Sequence, residues 1–172
     1  ERINRVNDIS RRCVRQPMPF EEIMAELLQI QQTRNYRPLY VTLAGGFIAM
    51  FFTPFFGGSL PDALAAFPIG MLTQVLVQKC EQAQINFIVR IIMTSVLLTA
   101  AALLLHQFGL IRNTDSVIIG SLMLLVPGLA ITNAVRDSIG GDLLAGIIRA
   151  IEACLIAIAI ALGAGVTMSI WL

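Results

Sequence analysis

Five apolar segments with the character of transmembrane helices are the feature of this sequence that most constrains its fold. They cover residues 39–56, 62–77, 87–105, 115–131 and 146–172. A bilayer core about 30 Å thick is crossed by a helix of roughly 20 mostly apolar residues. Only 13% of the 172 residues are charged, against roughly 25% in a soluble domain. The sequence therefore predicts an all-α integral membrane protein with five transmembrane helices in residues 39–172.

Basic residues are distributed unequally between the two ends of these spans. Seven arginines precede the first span, and Lys79, Arg90, Arg136 and Arg149 fall on the same side of the predicted topology. The opposite side carries only Arg112. Cytoplasmic segments hold the excess of Lys and Arg in membrane proteins. We therefore expect the N-terminus inside the cell and the C-terminus outside.

Residues 1–38 differ in composition, because they are polar and rich in arginine. Apolar residues recur at helical spacing in the first part, and Pro17 and Pro19 interrupt that pattern. Glu21 and Glu22 follow Pro19 and suit the first turn of a second helix. These features predict a short cytoplasmic helical hairpin, the remnant of a longer N-terminal region. The alternative is a helix held on the membrane surface by its arginines.

The residues that carry most enzyme chemistry are scarce. Cys13, Cys80 and Cys154 lie far apart without a CxxC pair, and His106 is the only histidine. This pattern predicts reduced cysteines, no metal site and no cofactor. The sequence has no nucleophile elbow, no phosphate-binding glycine loop and no basic patch with interleaved aromatic residues. We therefore expect neither an enzyme nor a nucleic-acid-binding protein.

A proline and a glycine interrupt the fourth predicted span at Pro127 and Gly128. Proline removes one helical hydrogen bond, and glycine weakens the next turn. Inside a membrane the freed carbonyls must be satisfied by protein, water or a ligand. Broken helices of this kind form binding sites in many transporters. The pattern predicts a substrate-binding break, and the alternative is a simple proline kink packed against a neighbouring helix.

Polar and charged residues follow this break within a short distance. Asn133, Arg136 and Asp137 can cluster on one helix, with Arg136 and Asp137 paired to other residues rather than to each other. Asp142, after a Gly-Gly turn, can cap the fifth helix. The predicted substrate-binding set comprises Pro127, Gly128, Thr132, Asn133, Arg136, Asp137, Asp142, Arg149 and Glu152.

Two of these residues lie at the start of the last predicted span, and their depth in the membrane is a separate question. Arg149 and Glu152 share one helical face at a spacing that allows them to pair. Buried charges of this kind are costly in a membrane and usually functional. The alternative is that the charges are ordinary solvated groups at the cytoplasmic interface, because residues 153–172 alone can span the bilayer.

Small residues recur every fourth position along the last span. They form one stripe on the predicted helix, which consists of Ala153, Ala157, Ala161, Gly165 and Ser169. Gly45, Gly46 and Ala49 form a similar group in the first span. Small residues let membrane helices approach closely. We interpret both as packing faces, either within the chain or between subunits.

The run LLVPGLAITNAVRDSIGGDLLAGIIRAIEA resembles the threonine/serine exporter family, which has a similar run near the end of its first module. RVNDISRR and RNYRP near the N-terminus extend the resemblance over most of the chain. The resemblance implies one of two architectures: a long chain with two five-span modules, or a five-span subunit that works with a smaller membrane partner. One two-subunit branch of the family is associated with the export of succinate. Its motif falls on Pro127, Gly128, Asn133, Asp137, Gly141, Asp142, Gly146, Arg149 and Glu152.

These observations lead to one functional hypothesis and one alternative. We expect a bacterial inner-membrane transporter subunit that exports threonine- or serine-type amino acids or C4-dicarboxylates by alternating access. Asn133 and the freed carbonyls would bind polar groups, Arg136 or Arg149 a carboxylate, and an acidic residue an ammonium group or a proton. Its partners would be the lipid bilayer and a second five-span module, as a homo-oligomer, or a smaller subunit. The alternative is a structural or regulatory subunit that does not itself transport.

Overall fold

The described residues of the computed structural model, 2–15, 18–32 and 37–171, form eight helices and no strand. Pro17 and residues 34–36 of the RNYRP segment lie outside them. The chain divides into two compact units, residues 1–37 and 38–172. The predicted all-α class is confirmed. The helices are α1 (Arg2–Arg15), α2 (Phe20–Gln32), α3 (Pro38–Phe55), α4 (Leu60–Gln82), α5 (Phe87–Gln107), α6 (Thr114–Leu122), α7 (Gly128–Ile139) and α8 (Leu143–Trp171).

The smaller unit is a pair of helices, as the sequence predicts. Ile9 of α1 and Ile30 of α2 are buried. Arg12 forms an ion pair with Glu26 across the two helices and a second one with Asp8 at 3.3 Å on its own helix. The hydrogen bond that Arg12 donates to Glu26 raises the pKa of Arg12 above its usual range. The buried apolar pair and this ion pair together hold the two helices as a hairpin.

Four helices of the described residues are long and apolar enough to cross a membrane, namely α3, α4, α5 and α8. Pro68 lies inside α4 without dividing it. The fourth predicted span is instead two short helices, α6 with nine residues and α7 with 12. At 1.5 Å per residue they are about 14 and 18 Å long, each too short for a bilayer core of about 30 Å. The prediction of five transmembrane helices is therefore not confirmed.

Small residues bring α3 and α4 into close contact, as the sequence predicts. Gly70 of α4 faces the backbone of Gly45 and the side chain of Ala49 on α3. A β-carbon at Gly70 would stand 2.7 Å from the Ala49 β-carbon. Ala49 is fully buried here, in the same apolar core as Ile69 and Leu98.

The interpretation of the small stripe on α8 as a packing face within the chain is wrong for most of its length. Only Ala153 of the stripe is buried; the other four stripe residues are exposed. The buried face of α8 is rotated away from it and carries Ile156, Ala159 and Gly163. Ser95 of α5 donates a hydrogen bond to the Ile160 carbonyl at 2.8 Å. Packing on α5 therefore leaves most of the stripe uncovered within this chain.

One buried carboxylate fixes the position of α6. Asp62 Oδ1 accepts hydrogen bonds from the backbone N–H of Arg112 at 2.7 Å and of Asn113 at 3.4 Å. Its Oδ2 accepts from Ser59 N at 2.9 Å and Ser59 Oγ at 2.6 Å. Ser116 Oγ also donates to the Phe56 carbonyl at 3.0 Å. The start of α6 is therefore bound to the loop between α3 and α4.

Candidate functional site

The predicted break at Pro127 and Gly128 is confirmed, and it separates α6 from α7. Beyond Leu122 the chain continues in short turns, in which Leu125 N donates to the Leu122 carbonyl at 2.8 Å. Pro127 has φ −80° and ψ 53°, and Gly128 N donates to the Val126 carbonyl at 2.9 Å. This is an inverse γ-turn. No backbone N–H of the described residues donates to the carbonyls of residues 123–125, so these three oxygens are free to accept from another donor.

A tight turn joins α7 to α8 and places their charged residues together. Gly141 has a φ of +91°, a conformation that glycine adopts without strain. Asp142 N donates to the Asp137 carbonyl at 2.9 Å and Gly141 N to the Ser138 carbonyl at 3.3 Å. These two bonds form a Schellman motif. Asp142 Oδ1 then accepts from Ala145 N at 3.1 Å, so the predicted cap of the last helix is confirmed.

Close packing beyond this turn sets the distance between the two helices. A β-carbon at Gly146 would overlap Ser138 Oγ and stand 2.9 Å from the Ala134 carbonyl oxygen. The hydroxyl of Ser138 is directed into its own helix, where it donates to that carbonyl at 2.8 Å. The first turn of α8 therefore lies directly against the last turns of α7.

An ionic cluster forms where α7 and α8 meet. The Arg149 Nε lies 3.1 Å from Asp137 Oδ2, and the Arg136 Nε lies 3.8 Å from Asp137 Oδ1. The side chain of Asp137 is 19% exposed, that of Arg149 42% and that of Arg136 73%. One carboxylate therefore stands between two guanidinium groups, and the cluster carries a formal excess of one positive charge.

The predictions about pairing in this cluster are met only in part. Asp137 pairs with a residue other than Arg136, namely Arg149, as the sequence predicts, but Arg136 also lies within ion-pair distance of Asp137. Arg149 pairs with Asp137 and not with Glu152, which is exposed. The reason is tertiary, because the contact at Gly146 brings Asp137 of α7 within reach of Arg149. Spacing along α8 alone cannot reveal a partner on another helix.

The remaining predicted polar residues are not drawn into the cluster. The hydroxyl of Thr132 donates to the Gly128 carbonyl at 2.9 Å and is therefore used within α7. Asn133 is half-buried and lies one turn before Asp137 on the same face of α7. Asp142 is engaged as the helix cap. Asn133 is thus the predicted polar residue best placed to act beside the ion pair.

An apolar groove of about 620 Å³ separates α8 from the break and α7. From α8 its wall is formed by Ala150, Ala153, Cys154, Ala157, Ile160, Ala161 and Ala164. From the other side it is formed by Leu122, Val126, Pro127, Ile131, Ala134 and Val135. Of the predicted substrate-binding set, only Pro127 lines it. Sequence reasoning missed this groove, although the alanine stripe on α8 was a visible signal for it.

The groove and the polar residues occupy different flanks of α7. Ile131, Ala134 and Val135 lie on the flank that faces the groove. Asn133 and Asp137 lie four residues apart and share another flank. The structure therefore separates an apolar face from the face that carries the Asp137–Arg149 pair.

Comparison with known proteins shows to which family this chain belongs. A family model described as "Putative threonine/serine exporter" matches residues 1–171. The chain belongs to this threonine/serine exporter family. The predicted resemblance is thus confirmed, and with its apolar helices the chain is a multi-pass membrane protein of a family of transporters, not of enzymes.

Among individual relatives, the chain is similar to an Escherichia coli (strain K12) protein named "Probable succinate transporter subunit YjjP". The two are 28% identical over 158 residues, which is 90% of this chain. The chain spans 60% of the length of that relative. No solved structure matches the chain.

The fold explains why the sequence motif shared with the exporter family has its residues at these positions. Pro127 and Gly128 form the break, Gly141 and Asp142 form the turn and cap, and Gly146 permits the close approach of α7 and α8. These residues build the elbow on which the Asp137–Arg149 pair is formed. Much of the motif therefore forms the scaffold for one partly buried ion pair.

Replacement of Asp142 separates its capping role from a role in binding substrate. Asp142→Ala removes the acceptor for the Ala145 N–H and is expected to lower the free energy of unfolding by about 1 kcal/mol. Asp142→Asn keeps a capping oxygen, and we expect its thermal stability and its transport to remain near the wild-type values. Thermal unfolding and transport of both variants are the measurement. Lost transport in the stable asparagine variant would instead indicate that the carboxylate itself meets the substrate.

Proposed function

We propose that this chain is a transporter subunit that exports small polar metabolites, with the Asp137–Arg149 pair in the substrate pathway. The observation that carries the proposal is the position of this pair at the elbow between α7 and α8, directly after a broken helix. Helix breaks and ion pairs within membrane segments are typical of transport sites. Family membership supports an exporter.

The charge of the cluster favours a C4-dicarboxylate substrate. Arg149 contacts Asp137 through Nε, and a guanidinium group has five N–H donors. Its terminal nitrogens therefore remain suited to a substrate carboxylate, which arginine binds in a bidentate manner. Asp137 is shared between two arginines, so it is poorly placed to receive an ammonium group. The name of the E. coli relative supports the same substrate class.

A threonine- or serine-type amino acid is the second candidate, favoured by a different residue. Glu152 is exposed on α8 and lies three residues after Arg149. An amino acid needs a cation for its carboxylate and an anion for its ammonium group, and Arg149 with Glu152 supplies both on one helical face. The description of the family supports this candidate.

Alternating access would use the break between α6 and α7. Hydrogen bonds attach the start of α6 to Asp62 and to the loop after α3, whereas α7 packs mainly on α8. Between them lie the three carbonyls of residues 123–125, which accept no hydrogen bond from a backbone N–H in the described part of the chain. We propose that α7 and α8 move together relative to α6 and that Asn133 and these carbonyls bind polar substrate groups in turn.

The proposed assembly lies in a bacterial inner membrane, with the elbow on the cytoplasmic side. The two half-helices α6 and α7 would together make the fourth of five crossings, which leaves the C-terminus outside. The relative is named a subunit, and we propose that this chain likewise works with a second five-span module or a smaller membrane partner. The complete pathway would form between them.

Transport by reconstituted complexes tests the site. Arg149→Ala is expected to lower uptake of labelled succinate into inverted vesicles by at least about tenfold, because a charge-assisted hydrogen bond contributes roughly 1.5–3 kcal/mol. Glu152→Ala is expected to lower threonine uptake if the amino acid is the substrate. Arg112→Ala is the matched control, since the bond from Arg112 to Asp62 uses only its backbone N–H.

The outcomes separate the proposed function from its alternative. If the Arg149 and Glu152 variants transport both substrates at the wild-type rate, these two residues are not part of the substrate pathway. Transport by the partner subunit alone would show that this chain is a structural or regulatory subunit. Loss of succinate uptake only in the Arg149 variant would support the dicarboxylate.

A further inference from the structure

Three buried hydroxyl groups of the larger unit have no hydrogen-bond partner in the described part of the chain. They are Thr73 Oγ1 on α4, Thr99 Oγ1 on α5 and Ser121 Oγ on α6, and all three side chains are fully buried. Buried polar groups in proteins are almost always bonded to protein, water or an ion. Other hydroxyls of the chain donate to the carbonyl four residues earlier on their own helix, namely those of Thr42, Thr53, Thr94, Thr132, Ser138 and Thr167.

Ser121 connects these hydroxyls with the break after α6. It lies in the last turn of α6, one turn after Val117, a residue of the apolar core. Two to four residues later come the carbonyls of residues 123–125, which no backbone N–H of the described residues contacts. The C-terminal end of a helix also carries a partial negative charge. A buried hydroxyl and free carbonyl oxygens therefore lie close together at a helix end that favours a cation.

Thr73 extends the face of α4 that packs on α6. Asp62 on this face accepts a hydrogen bond from the backbone N–H of Arg112, just before α6. Ile69 shares one apolar core with Ile118 of α6. Thr73 lies four residues after Ile69 and eleven after Asp62, which puts all three on one face of the helix. The hydroxyl of Thr73 is therefore on the side of α4 that faces α6.

Contacts along α3 put Thr73 and the break at similar depth. A β-carbon at Gly120 would stand 2.7 Å from the Thr53 backbone nitrogen, and one at Gly70 would stand 2.7 Å from the Ala49 β-carbon. Ala49 lies one turn before Thr53, and α6 runs antiparallel to α3. The free carbonyls, about one turn beyond Gly120, are therefore level with Gly70. Thr73 follows Gly70 by about 4.5 Å along α4.

Thr99 brings the third hydroxyl to this region from α5. The His106 Nδ1, near the end of α5, lies 3.3 Å from the Ile111 carbonyl oxygen, just before α6. Thr99 lies seven residues before His106, and Ser121 lies seven residues after Thr114, the first residue of α6. Each is therefore about 10 Å inward from this contact.

We infer that the break after α6 is a binding site for a sodium ion, formed by the carbonyl oxygens of residues 123–125 and by the three buried hydroxyls.

The type of ligand selects a monovalent cation. Hydroxyl and carbonyl oxygens are hard, neutral ligands, which suit an alkali-metal ion better than a transition metal. Divalent cations such as calcium take carboxylates in proteins. On α4, α5 and α6 the carboxylates lie near helix ends, at Asp62, Glu81 and Asp115. Unwound carbonyls and the C-terminal ends of half-helices coordinate sodium in other transporters.

A bound cation also resolves a conflict at this site, a consequence that rests on the proposed function. A carboxylate has no proton to donate to a carbonyl oxygen, so the free carbonyls alone would repel a dicarboxylate. A sodium ion between them can contact both. Sodium would then be the ion whose movement is coupled to transport of the substrate.

Sodium binding is measured without transport. The full-length protein, purified in mild detergent, would be unfolded thermally in sodium, potassium or choline chloride at equal ionic strength. Sodium is expected to raise the Tm in a saturable manner. Ser121→Ala and Thr73→Val should weaken the apparent sodium affinity at least about tenfold, because each removes a bond to a charged group. In choline chloride both should be as stable as the wild type, since neither loses a hydrogen bond within the protein.

Thr94→Val is the matched control. Thr94 is equally buried, on α5, but its hydroxyl donates to the Arg90 carbonyl at 2.6 Å. The sodium affinity of this variant should equal that of the wild type. Arg149→Ala should also keep the wild-type sodium affinity, because Arg149 pairs with Asp137 at the elbow and not at the break.

Four results would overturn the inference. The first is an equal Tm of the wild type in sodium and choline chloride, and the second is equal stabilisation by sodium and potassium. The third is wild-type sodium affinity in both Ser121→Ala and Thr73→Val. The fourth is lower stability of both variants in choline chloride, which would mean that their hydroxyls are already bonded within the protein. Wild-type transport by Arg149→Ala, with sodium binding intact, would instead contradict the proposed function alone.

Discussion

Gly70→Val is expected to separate α3 from α4 and to leave little monodisperse protein after purification. The new side chain would meet the backbone of Gly45 as well as the β-carbon of Ala49, only 2.7 Å from its own β-carbon. Backbone atoms cannot rotate away from an overlap, so the two helices must move apart. Overpacking of a core costs about 1–3 kcal/mol or more, and we expect at least the upper end of that range here. Fluorescence-detected size exclusion and thermal unfolding in detergent measure the effect.

Gly165→Val is the matched control for this prediction. Gly165 is also a helical glycine in an apolar span, but apart from its own turns of helix no atom of the described residues lies within 4 Å of a β-carbon built there. Its variant should stay within about 0.5 kcal/mol of the wild type. If the two valine variants are equally stable, the close contact of α3 and α4 does not contribute to the fold as we describe it.

Asp62→Ala is expected to release the start of α6 from the rest of the unit. Asp62 is fully buried and accepts four hydrogen bonds, two from Ser59, one from Arg112 and one from Asn113. Hydrogen bonds to a charged group contribute about 1.5–3 kcal/mol each, and water can replace some of them at the exposed loop. We expect a loss of about 3 kcal/mol, which corresponds to a fall in Tm of roughly 6–12 °C for a chain of this size.

The conservative variant distinguishes hydrogen bonding from packing at this position. Asp62→Asn keeps the volume, but its amide nitrogen cannot accept from Ser59 while its oxygen accepts from Arg112. It should therefore lose roughly half as much stability as the alanine variant. Asp115→Asn is the control, because Asp115 is an exposed carboxylate in the first turn of α6. A wild-type Tm in Asp62→Ala would show that α6 is held by its apolar contacts alone.

Several predictions from the sequence are confirmed because they depend on local chemistry. Proline removes a helical hydrogen bond and glycine weakens the next turn, so a break at Pro127 could be predicted without a structure. Asp142 could be assigned as a cap because it follows a Gly-Gly turn and precedes an apolar run. Gly45 and Ala49 could be assigned to a packing face because small residues serve that purpose in membrane helices.

Other predictions fail where the answer depends on a second helix. Helical spacing predicts that Arg149 pairs with Glu152, three residues away, but its partner is Asp137 on α7. The carboxylate of Asp62 on α4 accepts a hydrogen bond from the backbone N–H of Arg112, a contact that no pattern along the chain indicates. Residues 115–131 are predicted as one interrupted span, whereas the structure divides them between α6 and α7 and leaves residues 123–127 outside both helices.

The sequence by itself determined that the chain is helical, that it belongs in a membrane and where one helix breaks. These properties follow from composition, periodicity and the covalent constraint of proline, all of which act along the chain. Only the tertiary structure decided that Asp137 joins Arg149 and that most of the alanine stripe of α8 remains uncovered within this chain. Both results follow from the rotation of α8 about its own axis, which is set by packing against α5 and by the contact at Gly146. No residue encodes that rotation alone, because it is the balance of contacts made with two other helices.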